Sequence, residues 1–170
     1  NRNETMRVDA EDIDSMTATT IEYSNEETDY DTEEVSVGGA YIMLNGKPTA
    51  KSLADIDLTE GYVECLDSQG TGSYDVVFVQ SYKTIYVNRI DRNNYKLYDY
   101  YDNTNTVTLD EKDSSSVITI KKDGQVVTFN DIPNKSIVSV AESDPASVGD
   151  RFVEVLVSTE SFTGTVQEIT

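Results

Sequence analysis

The chain has 170 residues, 37% of them hydrophobic, and a formal net charge of −19, with no histidine and no tryptophan. This charge argues against binding to nucleic acid and to anionic membrane surfaces, both of which need clusters of Lys and Arg. Without histidine the usual catalytic triads and general bases are missing, and without a long apolar run we expect no membrane insertion, so the composition predicts a protein that is not an enzyme.

The first part of the chain is polar and strongly acidic, with twelve acidic residues against two arginines in residues 1–34. We interpret residues 1–17 as an N-terminal acidic arm or strand, because their apolar positions have mixed spacing. Residues 18–23 (ATTIEY) predict a strand. Residues 24–34 (SNEETDYDTEE) have no apolar periodicity and predict a solvated acidic loop, with diffuse binding of divalent ions as the alternative.

Two turn signals mark hairpins further along the chain. Asn45-Gly46 and Asp123-Gly124 each stand between apolar runs, and both predict tight turns because hairpin turn residues need positive φ. Between them, residues 53–58 (LADIDL) predict either a turn of helix or a short strand. The remaining segments alternate or run apolar, which predicts about twelve to fourteen short strands and little helix, typical of sandwiches or barrels.

The two strand-rich segments at residues 41–90 and 117–169 repeat each other. The corresponding pairs are Gly46 and Gly124, Ile56 and Ile132, Asp75 and Asp150, and Ile90 and Ile169. Their offsets are 78, 76, 75 and 79, and such steady spacing indicates a duplicated β unit. We therefore predict an all-β fold of two tandem, related, small β-barrel or sandwich-like units, one at residues 18–92 and one at residues 93–170.

The sharpest candidate site is the loop DSQGTGSYD at residues 67–75. Oxygen-bearing side chains recur at alternate positions, and a hard cation such as Ca2+ takes about six or more oxygen ligands. The predicted metal ligands are Asp67, Gln69, Thr71 and Asp75. Only two of them are carboxylates and the closing acid of an EF-hand loop is missing, so a polar hairpin loop without metal is the alternative interpretation.

Four tyrosines lie close together in the sequence: Tyr95, Tyr98, Tyr100 and Tyr101. Aromatic rings stack on carbohydrate, so the cluster could form a sugar-stacking platform. Tyrosine is also a common strand residue, and alternation alone turns half of these side chains outward. We favour strand packing as the interpretation of this cluster.

Cys65 is the only cysteine, so the chain holds no internal disulfide. It lies in the alternating segment YVECLD, which predicts that its side chain points inward with that of Val63. We expect a buried thiol that packs as a small apolar group, because no histidine or basic partner is present to lower its pKa.

A series of short motifs runs through residues 40–170. They are LNGK (44–47), ADI (54–56), GYVECLD (61–67), YDVVFV (74–79), KTIYVNRI (83–90), KKDGQ (121–125), NDI (130–132), SVAES (139–143), VEVLVST (153–159) and FTGTVQEI (162–169). In this order they resemble the β-rich repeat region of Firmicute, in particular clostridial, S-layer-type and cell-wall-associated surface proteins. The resemblance implies an exported β-rich module without enzyme activity. Gln69 and Thr71 stand where that family has Asp, which weakens the calcium prediction for this loop.

We therefore expect a non-enzymatic structural or adhesive module of an exported bacterial surface or wall-associated protein, located outside the cell. Its expected partners are other surface-protein domains or copies of itself, with a glycan as a further candidate. Alternatives are a phage virion structural domain, such as a tail, fibre or decoration domain, and a carbohydrate-binding module that uses the tyrosines. No cofactor is expected apart from Ca2+ at residues 67–75.

Overall fold

A computed structural model describes the backbone of residues 4–161 and the side chains of residues 4–158. This part of the chain is all-β, with about 50% strand and 8% helix in three sheets, which confirms the predicted class and the low helix content. The fifteen strands described are β1 (Glu4–Asp9), β2 (Ile13–Met16), β3 (Thr20–Tyr23), β4 (Glu33–Ser36), β5 (Tyr41–Leu44), β6 (Lys47–Pro48), β7 (Gly61–Asp67), β8 (Val76–Ser81), β9 (Lys83–Asp91), β10 (Lys96–Asp99), β11 (Thr106–Thr108), β12 (Ser116–Lys122), β13 (Gln125–Val127), β14 (Ser136–Glu142) and β15 (Arg151–Ser161). Short 3-10 helices are found at Ala10–Asp12, Glu26–Thr28, Leu53–Asp55 and Phe129–Asp131. None of the helices in residues 4–161 has the length and apolar character needed to cross a membrane.

The chain divides into two compact units. Among the described residues, the first contains residues 4–82 together with residues 143–147, and the second contains residues 83–142 and 148–161. The boundary drawn from the sequence, after residue 92, would place β9 in the first unit. In the structure β9 pairs with β10 and β14 and therefore belongs to the second.

The first unit has two sheets around one core. A five-stranded sheet has the order β1-β7-β8-β5-β6, in which β5 runs parallel to β8 and the other pairs are antiparallel. A three-stranded antiparallel sheet has the order β2-β3-β4. The buried core joins Ile21 of the small sheet to Val63, Val77 and Val79 of the large one. These valines alternate with exposed or half-buried neighbours, as expected for strands with one face in a core.

Residues 143–147, between β14 and β15, complete this first unit. The Thr49 hydroxyl donates a hydrogen bond to the Asp144 carboxylate, and the Ser147 hydroxyl donates one to the Pro48 carbonyl. Asp144 is buried, and the Thr49 hydroxyl together with the backbone N–H of Ala146 lowers the pKa of its carboxyl group. The segment is therefore held by a buried, ionised side chain that accepts hydrogen bonds from Thr49 and Ala146.

The second unit is built on one seven-stranded sheet with the order β11-β10-β9-β14-β15-β12-β13. The first part of β9 pairs with β14 and the later part with β10, and within the β9–β10 pair the register shifts between Tyr98, opposite Arg89, and Asp99, opposite Val87. Strands that change partner at such an irregularity form the corners of β structures. Leu97 and Val107 from one end of the sheet share a core with Ile120 from the other, which shows that the sheet curves around its apolar face.

The described residues contain no closed barrel, so the barrel form of the prediction is not found and the sheets are open. Three of their edge strands are short: β6 has only Lys47 and Pro48, and β11 and β13 have three residues each. Proline has no N–H to donate, so it suits an edge that pairs on one side only. Short edges of this kind discourage pairing with a strand of another chain.

Both predicted hairpin turns are confirmed, because their turn residues have positive φ. The φ angles are 50° and 93° at Asn45 and Gly46, and 55° and 79° at Asp123 and Gly124. The ambiguous segment at residues 53–58 begins with a 3-10 helix. The predicted acidic loop at residues 24–34 is more ordered than expected: it contains a 3-10 helix, and its last two residues begin β4. The predicted closing strand at residues 162–169 lies outside the described residues.

Candidate functional site

The loop at residues 67–75 is closed by its own carboxylates. The buried carboxylate of Asp67 accepts backbone N–H bonds from Thr71 at 3.0 Å and from Gly72 at 2.6 Å. The Asp75 carboxylate accepts the backbone N–H of Ser68 at 2.8 Å and also the Ser68 hydroxyl. Each carboxylate therefore forms hydrogen bonds across the loop, and the two do not converge on one position for a cation.

These bonds change the titration of both acids. Burial alone would raise the pKa of Asp67, but the backbone N–H groups led by Gly72 and Thr71 outweigh it and hold that pKa below its usual value. The Ser68 hydroxyl and then the Ser68 backbone N–H lower the pKa of Asp75. The loop thus stabilises two ionised carboxylates with neutral donors.

The other two predicted ligands lie on the outside of the same loop. Gln69 and Thr71 are exposed, and the Thr71 hydroxyl accepts the backbone N–H of Ser73 at 3.4 Å. A cation here would have to share the Asp67 oxygens with two N–H groups. Within residues 4–161, no group of three or more His, Cys, Asp or Glu side chains is placed to hold a metal ion. Calcium binding at residues 67–75 stays a prediction.

The four sequence-adjacent tyrosines separate into different environments. The Tyr95 ring packs edge-on against the core residue Phe129, with 5.5 Å between ring centroids. The Tyr98 ring is covered by the guanidinium of Arg89, which lies 3.7 Å from its centroid and opposite it in the register of β9 and β10. Packing against the core, for Tyr95 in the turn before β10, and against the neighbouring strand, for Tyr98, accounts for these two rings.

The remaining two tyrosines join a third that the sequence cluster does not contain. Tyr101 lies 5.1 Å from Tyr86 and 5.0 Å from Tyr100 between ring centroids, with interplanar angles of 88° and 89°. Edge-to-face contacts at this distance are a preferred aromatic geometry. We call Tyr86, Tyr100 and Tyr101 the tyrosine trio; its central ring, Tyr101, is 65% exposed.

A buried acid fixes the backbone of the tyrosine trio. Asp99 is only 5% exposed, and its Oδ1 accepts the N–H of Tyr86 at 2.7 Å. Its Oδ2 accepts the N–H groups of Tyr101 at 3.0 Å and Asp102 at 2.9 Å, while the N–H of Tyr100 donates to the Tyr86 carbonyl at 2.8 Å. No local sequence signal links Tyr86 to this group, because only the pairing beside β9 brings it there.

An acidic cleft of about 460 Å³ opens in the first unit. Its lining includes Arg7, Asp9, Asp12, Asn25, Glu26 and Glu27. Arg7 pairs with Asp9 at 3.4 Å and stacks over the Tyr62 ring at 3.8 Å, while Asn25 and Thr28 cap each other. Arg7, Asp9 and Asn25 are thus engaged in local structure, and the interpretation of residues 24–34 as a solvated acidic surface stays a prediction.

Cys65 is buried in β7 beside Val63, as predicted from the alternation of that strand. Burial, helped by the neighbouring Glu64 charge, raises the pKa of the Cys65 thiol to about 11. A thiol with this pKa stays protonated at neutral pH and is a poor nucleophile. Buried side-chain nitrogen and oxygen atoms of the described residues all have hydrogen-bond partners, so none of them marks a ligand site by being unsatisfied.

Comparisons of the chain with protein-family models, with curated proteins and with solved structures gave no match. The tyrosine trio and the loop at residues 67–75 are therefore interpreted from their own geometry.

Proposed function

We propose that this chain is a non-enzymatic structural or adhesive module of an exported bacterial surface or wall-associated protein, built from two copies of one β unit. Strand order supports the duplication. The series β1-β7-β8-β5-β6 in the first unit and β9-β14-β15-β12-β13 in the second have the same sequence of pairings. In each, two antiparallel pairs are followed by a parallel pair and a hairpin.

The register of the parallel pair is the observation that carries the duplication on which the proposal rests. Leu44 lies opposite Val79 in the first unit, and Lys122 lies opposite Val157 in the second. Both residues of the pair are displaced by 78 positions, since 122 − 44 and 157 − 79 are equal. A slip of one residue would turn every side chain to the other face of the sheet. Agreement of the two registers to the residue is therefore specific support for a duplication. The same offset aligns Asp75 with Val153 instead of with Asp150.

A duplicated β body suits a spacing or assembly role. Long-range sheet pairing makes a stiff frame, and loops at the ends of strands can vary without disturbing the core. The net charge of −19 favours solubility outside the cell. We propose other surface-protein domains or copies of the chain itself as partners; exposed Tyr41 and Phe78, on neighbouring strands of the first unit, are candidate contacts.

Labelling of intact cells tests the location and class of this module. An antibody raised against the purified chain is applied to cells of the source organism before and after permeabilisation, and protease shaving of intact cells is followed by immunoblotting. We expect labelling without permeabilisation and loss of the signal on shaving, while a cytoplasmic marker is spared. Signal that appears only after permeabilisation would refute the proposal, and enrichment in purified phage particles would assign the chain to a virion.

A further inference from the structure

We propose that the tyrosine trio of the second unit is a carbohydrate-binding surface, in which Tyr101 stacks on one face of a gluco-configured pyranose ring. This inference goes beyond the proposed function, because a structural module does not need a ligand. It rests on the preorganised backbone of the trio, on the exposure of its central ring and on the attraction of an aromatic face for the C–H groups of a sugar.

The backbone of the tyrosine trio is fixed before any ligand arrives. The two oxygens of Asp99 hold the N–H groups of Tyr86 and Tyr101, and Tyr100 is bonded to the Tyr86 carbonyl. Asp99 is 5% exposed, so these bonds are shielded from water. Binding to a surface that is already ordered costs less conformational entropy, which is why binding residues are supported from behind in this way.

The central ring is exposed and yet held in place. Tyr101 is 65% exposed, while Tyr86 and Tyr100 contact it edge-to-face at 5.1 and 5.0 Å. An aromatic ring carries negative potential on its face, which attracts the weakly positive hydrogens of C–H groups. In a gluco-configured pyranose the hydroxyls are equatorial, so both faces present axial C–H groups. An axial hydroxyl, as in galactose or mannose, removes part of one such face.

Other ligands of aromatic surfaces fit less well. Polyproline peptides dock into grooves between aromatic rings, but Tyr101 is in contact with both Tyr86 and Tyr100, at 5.1 and 5.0 Å between centroids, so no open groove separates it from either ring. Nucleic-acid bases also stack on tyrosine, but the net charge of −19 repels their phosphates. Lys135 Nζ lies 5.5 Å from the Tyr100 ring, so the trio also has a cation beside it.

The same unit supplies a matched control. Tyr98 is a tyrosine on β10 of the same unit, but its ring is covered by Arg89 at 3.7 Å and is not part of the trio. Replacing either tyrosine by alanine removes the same atoms. Only Tyr101→Ala removes the ring that we propose to touch the sugar.

The test is a titration of the full chain with cello- and chito-oligosaccharides, followed by amide chemical shifts in NMR. Galactose- and mannose-based oligosaccharides and a proline-rich peptide serve as further ligands. We expect saturable shifts that centre on the amides of Tyr86 and of residues 99–102, with the gluco-configured sugars preferred. Tyr101→Ala should weaken binding by about tenfold or more, and Tyr98→Ala should change it by less than about twofold.

Several results would overturn the inference. They are an absence of binding at millimolar sugar, equal binding by wild type and Tyr101→Ala, equal losses in Tyr98→Ala and Tyr101→Ala, or binding of the proline-rich peptide alone. Tyr101→Phe keeps the ring and should retain binding, which separates stacking from a general effect on the fold. The result of surface labelling does not depend on any of these outcomes. Failure of sugar binding can therefore be distinguished from failure of the proposed function.

Discussion

Two glycines are required for different physical reasons. Gly61 has a φ of +124°, and a Cβ there would lie 1.9 Å from the backbone oxygen of Gln80. Gly124 has a φ of +79° but open space around it. At Gly124 a side chain would meet only the conformational penalty, whereas at Gly61 it would also collide with a neighbouring strand.

We expect Gly124→Ala to lower the free energy of unfolding by about 1–2 kcal/mol, the cost of an L-residue in the left-handed region. Gly61→Ala should cost clearly more. Gly38→Ala is the control, because its Cβ would make only ordinary contacts with Thr19 at 3.5 Å. Urea unfolding of the three variants measures these differences. Equal losses of unfolding free energy in Gly61→Ala and Gly124→Ala would contradict the prediction. They would show that the backbone near Gln80 moves away from the new Cβ without a loss of stability.

Asp67 makes a specific prediction for the dependence of stability on pH. Its pKa is lowered in the folded state, so its ionised form stabilises the fold above the unfolded pKa of about 3.9. That contribution is lost as the pH falls through the folded pKa. Asp67→Asn should therefore be less stable than wild type at neutral pH and should lose less stability on acidification.

Unfolding by urea at a series of pH values checks this expectation. Asp55→Asn, at an exposed position, makes the same change of charge and controls for the overall charge of the molecule. The difference between the wild-type and Asp67→Asn curves, compared with the change made by Asp55→Asn, measures the contribution of Asp67. Parallel curves for wild type and Asp67→Asn would contradict the prediction.

The predicted calcium site at residues 67–75 has a direct thermal test. A ligand that binds only the folded state must raise the melting temperature. We expect Ca2+ to raise it more than Mg2+ at the same concentration, and Asp67→Asn to abolish that excess while Asp55→Asn keeps it. Melting curves that coincide in Ca2+ and EDTA, at matched ionic strength, would identify residues 67–75 as a loop without metal.

At the scale of strands, the proposed duplication predicts that the same substitution at equivalent positions of the two units lowers the free energy of unfolding by a similar amount. Val77 and Val155 are both fully buried and are separated by the offset of 78 that relates the parallel pairs. Val77 lies opposite Cys65, and Val155 lies opposite Val140. We expect Val77→Ala and Val155→Ala each to lower the free energy of unfolding by about 2–3 kcal/mol, through lost burial and the cavity left behind.

Val126→Ala controls for the change of residue type, because Val126 is a strand valine that is 72% exposed. Its effect should stay within about 0.5 kcal/mol, as for most surface substitutions. Urea unfolding compares the three. A large loss at one buried position and none at the other would argue that the two units are packed differently despite their shared strand order.

Local signals in the sequence were sufficient to predict local structure. Asn45-Gly46 and Asp123-Gly124 specify their turns through positive φ, which only a few residue types accept. The buried thiol of Cys65 follows from the two-residue period of its own strand. These features depend on residues that are neighbours in the chain.

Long-range pairing could not be predicted in the same way. The parallel pairs β5–β8 and β12–β15 join segments separated by whole hairpins and loops, and nothing local sets their register. The contact between Tyr86 and Asp99 could not be predicted for the same reason, because only the pairing around β9 brings these two residues together. The edge position of Pro48 in β6 can likewise be recognised only when the pairing of β6 with β5 is known.

At the scale of the whole molecule, the excess of negative charge determines how the melting temperature depends on salt concentration. There are 32 acidic against 13 basic residues, and the ion pairs found in the described residues involve partly or largely exposed side chains. Like charges in a compact state repel each other, and salt screens them with a Debye length of about 10 Å at 0.1 M. We expect the melting temperature to rise as NaCl is added.

A variant with Glu26→Gln and Glu27→Gln removes two charges from the acidic cleft and should show a smaller rise over the same range of NaCl. Differential scanning calorimetry measures both proteins. A melting temperature that falls with NaCl, or a rise that is equal in both, would show that repulsion in this region does not limit stability.

The segment at residues 143–147 has a consequence for the order in which the protein is made. Thr49 and Pro48 find partners in Asp144 and Ser147, which a ribosome adds almost one hundred residues later. Domains usually fold from the N-terminus as they emerge during synthesis. Here the last contacts of the unit that is translated first can form only after residues 143–147, which follow β14, have been synthesised.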